Sequence, residues 1–364
     1  VSLACGIVGL PNVGKSTLFN AITAAGAEAA NYPFCTIEPN VGIVPVPDGR
    51  LAAINEHIET EEVIPATLEV VDIAGLVAGA SRGEGLGNKF LGNIRETQAV
   101  IHVVRCFEDP DVVHVAGKID PVGDASVIEL ELCMADLETI ERAMEKTAKK
   151  ARSQDREAKD ELAVFERARD WLQEGKLLRA GNWTELEQSA LGRLLPLTMK
   201  PVLYVANVGE DDVAGTSPQV LTLKEHAATH GAAVIVLCAQ VEHELAEMEP
   251  DDRKEFLDDL GLDSAGLDRL AVAAFDLLGL HTFFTAGPKE IRAWMIHQGD
   301  VAPVAAGVIH TDFQKQFIRA EVYQVDDLLE LGSEAAIRAA GRMRSEGKEY
   351  VMQNSDVVHF LVGR

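Results

Sequence analysis

Short, nearly continuous apolar runs punctuate the first part of the chain. Cys5–Leu10, Thr67–Ile73 and Ala99–Val104 lack the alternation of a half-solvated strand and read as strands buried on both faces, separated by glycine-rich turns and helical stretches. That pattern predicts a parallel α/β sheet. Two further runs, Pro201–Ala206 and Ala233–Leu237, have the same texture, so the sheet is interrupted in sequence by a different segment. Within 127–198, Leu137, Ile140, Met144, Ala148 and Ala151 recur at three- and four-residue steps. Leu162, Phe165, Ala168 and Leu172 resume the period after the polar break Ser153-Gln154-Asp155, which predicts a coiled helical hairpin. From about 281 the pattern changes to short strands with turn glycines, including Phe317–Val322 and Val357–Val362, as in a small α+β domain. The predicted division is therefore 1–126 with 199–280 as one α/β domain, 127–198 as an inserted hairpin, and 281–364 as a third part.

Composition narrows the class. With 364 residues, 47% hydrophobic and 25% charged, the chain suits two or three packed domains rather than a disordered polymer. No apolar run reaches the roughly 18 residues needed to span a bilayer, and Val1–Cys5 lacks the basic, then apolar, pattern of a signal peptide. A cytoplasmic location away from membranes is the expectation. The five cysteines, Cys5, Cys35, Cys106, Cys133 and Cys238, are scattered without C-x-x-C spacing, which argues for reduced thiols over disulfides or zinc.

A net charge of −25 opposes broad, nonspecific binding to phosphate backbones. Residues 142–159 reverse the sign, with Arg142, Lys146, Lys149, Lys150, Arg152, Arg156 and Lys159 against Glu145, Asp155 and Glu157. The hairpin periodicity puts this stretch at its far end. It reads either as a solvated charged face or as a local basic tip for nucleic acid.

The chemistry starts in the first strand. Gly9-Leu10-Pro11-Asn12-Val13-Gly14-Lys15-Ser16-Thr17 fits G-x-x-x-x-G-K-[ST], and an apolar strand precedes it and a helix follows. In such a phosphate loop (P-loop), the glycines let backbone N–H groups face a β-phosphate, Lys15 reaches the β and γ oxygens, and Ser16 offers a hydroxyl to Mg²⁺. Asp72-Ile73-Ala74-Gly75 ends the second strand, so Asp72 is expected to steady Mg²⁺ through water and the Gly75 N–H to meet a γ-phosphate. Thr36, between these elements, is the candidate switch threonine on Mg²⁺. The downstream glycines Gly79, Gly83, Gly85 and Gly87 suggest a switch-like or merely flexible loop.

The base-reading element departs from guanine specificity. A guanine reader presents N-K-x-D, whereas Asn207-Val208-Gly209-Glu210 follows the later strand here. The carboxylate of Glu210 is one methylene longer, and Val208 replaces the lysine that packs on the base. A displaced buried hydrogen bond costs about 1–3 kcal/mol, so guanine preference should weaken and adenine be accepted. Cys238-Ala239-Gln240 stands where Ser-Ala-Lys would flank the base.

Together with Tyr32–Asn40 and Gly83–Asn88, these motifs make the chain resemble the YchF, or Obg-like ATPase, family of translation-factor-related P-loop proteins over essentially its whole length. His281–Gly287, Glu290–Trp294 and Ala306–Phe313 resemble that family's C-terminal TGS domain, a β-grasp module. Asn354-Ser355-Asp356 departs from it, standing where members usually carry Asp-Gly-Asp. The resemblance implies ATP hydrolysis in preference to GTP, a hairpin inserted in the nucleotide domain, and association with ribosomes.

Leu76 occupies the place of the water-orienting glutamine of Ras-like enzymes, so turnover should be slow unless a partner, another side chain or K⁺ assists. Asn12 sits where potassium-dependent relatives carry it, or is a turn former. His114 reads as a water-positioning catalytic residue or a structural histidine, and Cys35, beside Thr36, as a redox-sensitive switch or a passive thiol. Two functions follow for a chain expected to be monomeric: an ATPase switch that binds ribosomes, or an RNA- or ribosome-binding module with nucleotide as a structural ligand.

Overall fold

A computed structural model describes residues 3–26, 40–73, 86–109, 118–152 and 155–363. Cys35, Thr36, Gly75, Leu76 and His114 lie outside the described residues. In chain order the strands are β1 (Ala4–Val8), β2 (Val41–Pro45), β3 (Glu62–Ile64), β4 (Thr67–Asp72), β5 (Ala99–Arg105), β6 (Val202–Asn207), β7 (Ala233–Leu237), β8 (Leu280–Ala286), β9 (Glu290–His297), β10 (Phe317–Gln324), β11 (Arg344–Glu346) and β12 (Asp356–Val362). The described residues form two compact units, the first of 3–26, 40–44 and 69–274, the second of 45–68 with 275 onward.

In the first unit the sheet order is β2-β4-β1-β5-β6-β7. β1 runs parallel to both β4 and β5, and β5 to β6 and β6 to β7, so each is reached by a helical crossover. Every residue of β5 and β6 is buried, including the polar His102, Arg105 and Asn207. The strand order reverses at β1, and a crevice outside the carboxyl ends of the strands opens at such a point.

The inserted hairpin is formed by helices Pro121–Ala151 and Arg156–Gln173. Its first helix starts six positions before the expected 127, because Asp120 caps Gly123 N and Pro121 supplies a preset first turn. Ile140, Phe165, Ala168, Leu172, Leu177 and Trp183 fill its core. The return to the sheet is fixed by buried Asp136, whose carboxylate accepts from Leu197 N at 2.8 Å, Thr198 N at 2.7 Å and the Thr198 hydroxyl at 2.6 Å. Gly87 falls in helix Leu86–Glu96 rather than in a glycine loop. No described helix is long and apolar enough to cross a membrane.

The second unit holds a mixed sheet of order β11-β10-β12-β8-β9-β3. Helix Ala302–Ile309 contributes Ala302, Ala305 and Ala306 to a core with Phe283, Phe317, Val322 and Val358, giving the α+β arrangement expected from about 281. One strand arrives from elsewhere in sequence: β3 pairs parallel to β9, so residues 45–68 belong here and not with the rest of 1–126. Arg50, from the same segment, donates to Asn354 Oδ1 at 2.9 Å and Ser355 Oγ at 2.8 Å, and its guanidinium lies 4.9 Å from the centre of the Phe284 ring. Ser355 has φ 85°, a left-handed conformation that favours glycine. The Asn354-Ser355-Asp356 turn is thus formed without a glycine, with Arg50 holding it.

Candidate nucleotide site

β1 delivers the chain into the glycine loop at the crevice. Gly14 has φ 88° and caps helix Lys15–Ala25, which has no side-chain N-cap, so its first backbone N–H groups are left for an anion. A Cβ on Gly9 would press on the Val103 carbonyl and the Val13 side chain, both 2.8 Å away, and one on Gly14 would collide with the Asn207 amide nitrogen. Asn12 also sits in the left-handed region, at φ 61°. Lys15 forms an ion pair with Asp72 at the end of β4, which brings together the two elements separated in sequence.

Asn207 joins the loop to the base-reading end. Its Nδ2 donates to Val13 O at 2.9 Å, its Oδ1 accepts from Ala239 N at 2.9 Å, and its own carbonyl accepts from Cys106 N at 2.8 Å. Val208 N donates to Leu237 O at 3.0 Å, so β6 and β7 end in register. Glu210 is exposed and opens a short turn, Glu210–Asp212, where the Asp212 carboxylate accepts from Thr216 N at 2.8 Å.

A cavity of about 1000 Å³ runs along these loops. Of the expected residues, Asn12, Gly14, Lys15, Ser16, Thr17, Asn207, Val208, Glu210, Cys238 and Ala239 line it. Val13 does not: its side chain is buried, and it serves through the carbonyl that Asn207 holds. The cavity wall also includes Phe107, Glu108 and Asp109, which the sequence pattern did not mark. Their position follows from Arg105, a buried charge at the end of β5 that donates to Phe107 O at 3.2 Å and Asp109 O at 3.3 Å, with its guanidinium 4.4 Å from the Phe107 ring centre. An arginine closing a mainly apolar strand, with an aromatic two residues on, is the signal that was available.

Charge is graded along the cavity. Lys15 and the helix N-terminus occupy one end, and Glu108, Asp109, Glu210 and Asp211 the other, an arrangement that would favour an anion at the glycine loop over the acidic end. The four described cysteines are unpaired and buried, as expected. Burial pushes the thiols of Cys5, Cys106 and Cys133 up to about 12 and raises that of Cys238, which leaves a neutral, unreactive group at the base end.

A glycine turn between a buried parallel strand and an uncapped helix, with a lysine and an aspartate meeting beside it, defines a P-loop nucleotide-binding protein. Two family models match: MMR_HSR1, described as 50S ribosome-binding GTPase, over residues 4–131, and YchF-GTPase_C, described as protein of unknown function (DUF933), over residues 280–363. The Ribosome-binding ATPase YchF of Haemophilus influenzae is 54% identical over 356 residues, covering 98% of both chains. Its namesake from Bacillus subtilis is 51% identical over 362 residues, covering 99% of both. The solved structure of the Schizosaccharomyces pombe YchF GTPase aligns with a TM-score of 0.89 at 37% identity, covering 99% of this chain and 98% of that one. The chain belongs to the YchF family.

Proposed function

We propose that the chain is a ribosome-associated P-loop ATPase that uses Mg²⁺ and hydrolyses ATP in preference to GTP. The observation that carries this reading is the pairing of a complete phosphate loop with the altered base loop Asn207-Val208-Gly209-Glu210, and the names of the bacterial relatives support it. Val208 is 2% exposed, so it offers no long cationic stem to lie over a base, and Glu210 replaces the carboxylate that selects guanine.

The hard oxygen donors Ser16 and Asp72 suit Mg²⁺. When bound, the ion supplies charge neutralisation across the β and γ oxygens. Lys15, held beside Asp72, binds the same oxygens as a point charge, while the amides around Gly14 orient the β-phosphate. In this reading Thr36 joins the Mg²⁺ donors, the Gly75 N–H completes the phosphate contacts, and His114 positions the attacking water that Leu76 cannot orient. Asn12 is accounted for by its left-handed turn; turnover compared in K⁺ and Na⁺ tests an added role for the monovalent ion.

Arg142, Lys146, Lys149, Lys150, Arg152, Arg156 and Lys159 are all exposed at the hairpin end, where they form the candidate contact with ribosomal RNA. The protein acts in the cytoplasm as a monomer in this reading. A second reading, nucleotide as a structural ligand with little turnover, is favoured by Leu76 alone. Turnover of ATP and GTP measured with and without ribosomes separates the two: ribosome-stimulated ATP hydrolysis supports the first, and equal ribosome binding in ATP, ADP and nucleotide-free states supports the second.

A further inference from the structure

Away from the nucleotide cavity, the root of the hairpin meets the helix Pro218–Thr229 through a partly buried cluster with no part in phosphate chemistry. Glu129, from the hairpin's first helix, faces His226 and His230, which are one helical turn apart at the end of that second helix. His226 Nε2 lies 2.9 and 3.2 Å from the two carboxylate oxygens of Glu129, and His230 Nε2 lies 4.0 Å from Oε2. The two imidazoles meet edge to face with ring centres 4.7 Å apart. The side chains of Glu129, His226 and His230 are 9%, 15% and 17% exposed.

His230 is the anomaly. Both of its ring nitrogens are buried and neither has a hydrogen-bond partner among the described residues, an arrangement that costs about 1–3 kcal/mol if nothing binds there. Two histidines and a glutamate form a donor set that zinc favours. One ligand atom from each lies within 4.8 Å of the others. Around a tetrahedral ion with bonds of about 2.0–2.1 Å, such atoms stand roughly 3.3–3.5 Å apart, so the set has to draw in by no more than about 1.5 Å to hold one. Outer support is present as well: the Tyr204 hydroxyl donates to Glu129 and fixes its carboxylate. The nearby Arg179 guanidinium donates to the Tyr204 hydroxyl, 3.4 Å away.

We infer that Glu129, His226 and His230 form a binding site for a zinc-class divalent ion that ties the hairpin root to the nucleotide fold. The test uses the full-length, metal-stripped protein titrated with Zn²⁺ by calorimetry and with Co²⁺ by visible absorption, in parallel with His230→Ala, His230→Gln and Glu129→Gln. Expected results are one equivalent bound by the wild type with four-coordinate Co²⁺ bands, a rise in its melting temperature with Zn²⁺, and affinity weakened about tenfold or more in each variant. Zn²⁺ held instead by Ser16 and Asp72 would survive all three substitutions. Unfolding in EDTA with a cooperative transition shows that each variant is folded. Binding of Zn²⁺ by His230→Ala and Glu129→Gln with wild-type affinity, or no Zn²⁺ binding by the wild type, overturns the assignment.

Discussion

The two ends of the nucleotide cavity are built from different materials. In the proposed reading the groups that act at the phosphate end are mainly backbone: N–H groups at an uncapped helix start, placed by Gly9 and Gly14, with Lys15 and Asp72 added. At the base end they are side chains on loops: Val208, Glu210, Cys238 and Phe107. A backbone-built site tolerates little change, because any Cβ or altered spacing blocks it, whereas a side-chain-built site can change specificity one residue at a time. This explains how a complete phosphate motif coexists with a base motif missing its guanine-selecting residues.

The difference can be broken most severely at Gly14. Gly14→Ala places a Cβ against the Asn207 amide at a φ of 88°, and is expected to weaken ATP binding by at least about 100-fold, near 2.7 kcal/mol, in a fluorescent-nucleotide titration. Asn207→Ala strikes both ends together. It leaves Val13 O and Ala239 N buried without their partner, at about 1–3 kcal/mol for the unmade bonds, so thermal melting should fall and ATP and GTP should weaken alike. A base-selective loss would show that Asn207 belongs to the base end alone.

A substitution confined to the base end should sharpen the contrast. Val208→Lys combined with Glu210→Asp is expected to move the ATP-to-GTP affinity ratio about tenfold toward GTP while turnover keeps its dependence on Lys15. The smallest effect lies in the C-terminal unit. Ser355→Gly relieves a left-handed φ of 85° but removes the hydroxyl that accepts from Arg50, for a net gain of about 0.5–1 kcal/mol in denaturant unfolding, with both nucleotides bound as before.

The same division governs what could be read from the residues. The P-loop, the Asp72 element and the hairpin were legible from local pattern: the glycines and Lys15 in the first, a carboxylate and glycine closing a strand in the second, helical periodicity in the third. The role of Asn207 as a bridge was not, since its partner Val13 lies 194 residues away in sequence. Phe107 and Asp109 line the cavity with their carbonyls bonded to Arg105, a contact that no local spacing announces. β3 escaped notice because Glu62–Ile64 is too short to show a period, and its pairing partner β9 lies far along the chain. Glu129, His226 and His230 come from two helices and carry no motif spacing as a set.

The central claim is that Lys15 and the loop around Gly14 grip a polyphosphate with Mg²⁺, leaving the choice of base to the far end. Equilibrium titration of ATP and GTP with Mg²⁺ into the wild-type protein and Lys15→Ala tests it most directly. The expected result is ATP bound more tightly than GTP by the wild type, with both lost or strongly weakened in the variant. Absence of Mg-nucleotide binding by the wild type, or equal affinities in wild type and Lys15→Ala, would contradict it.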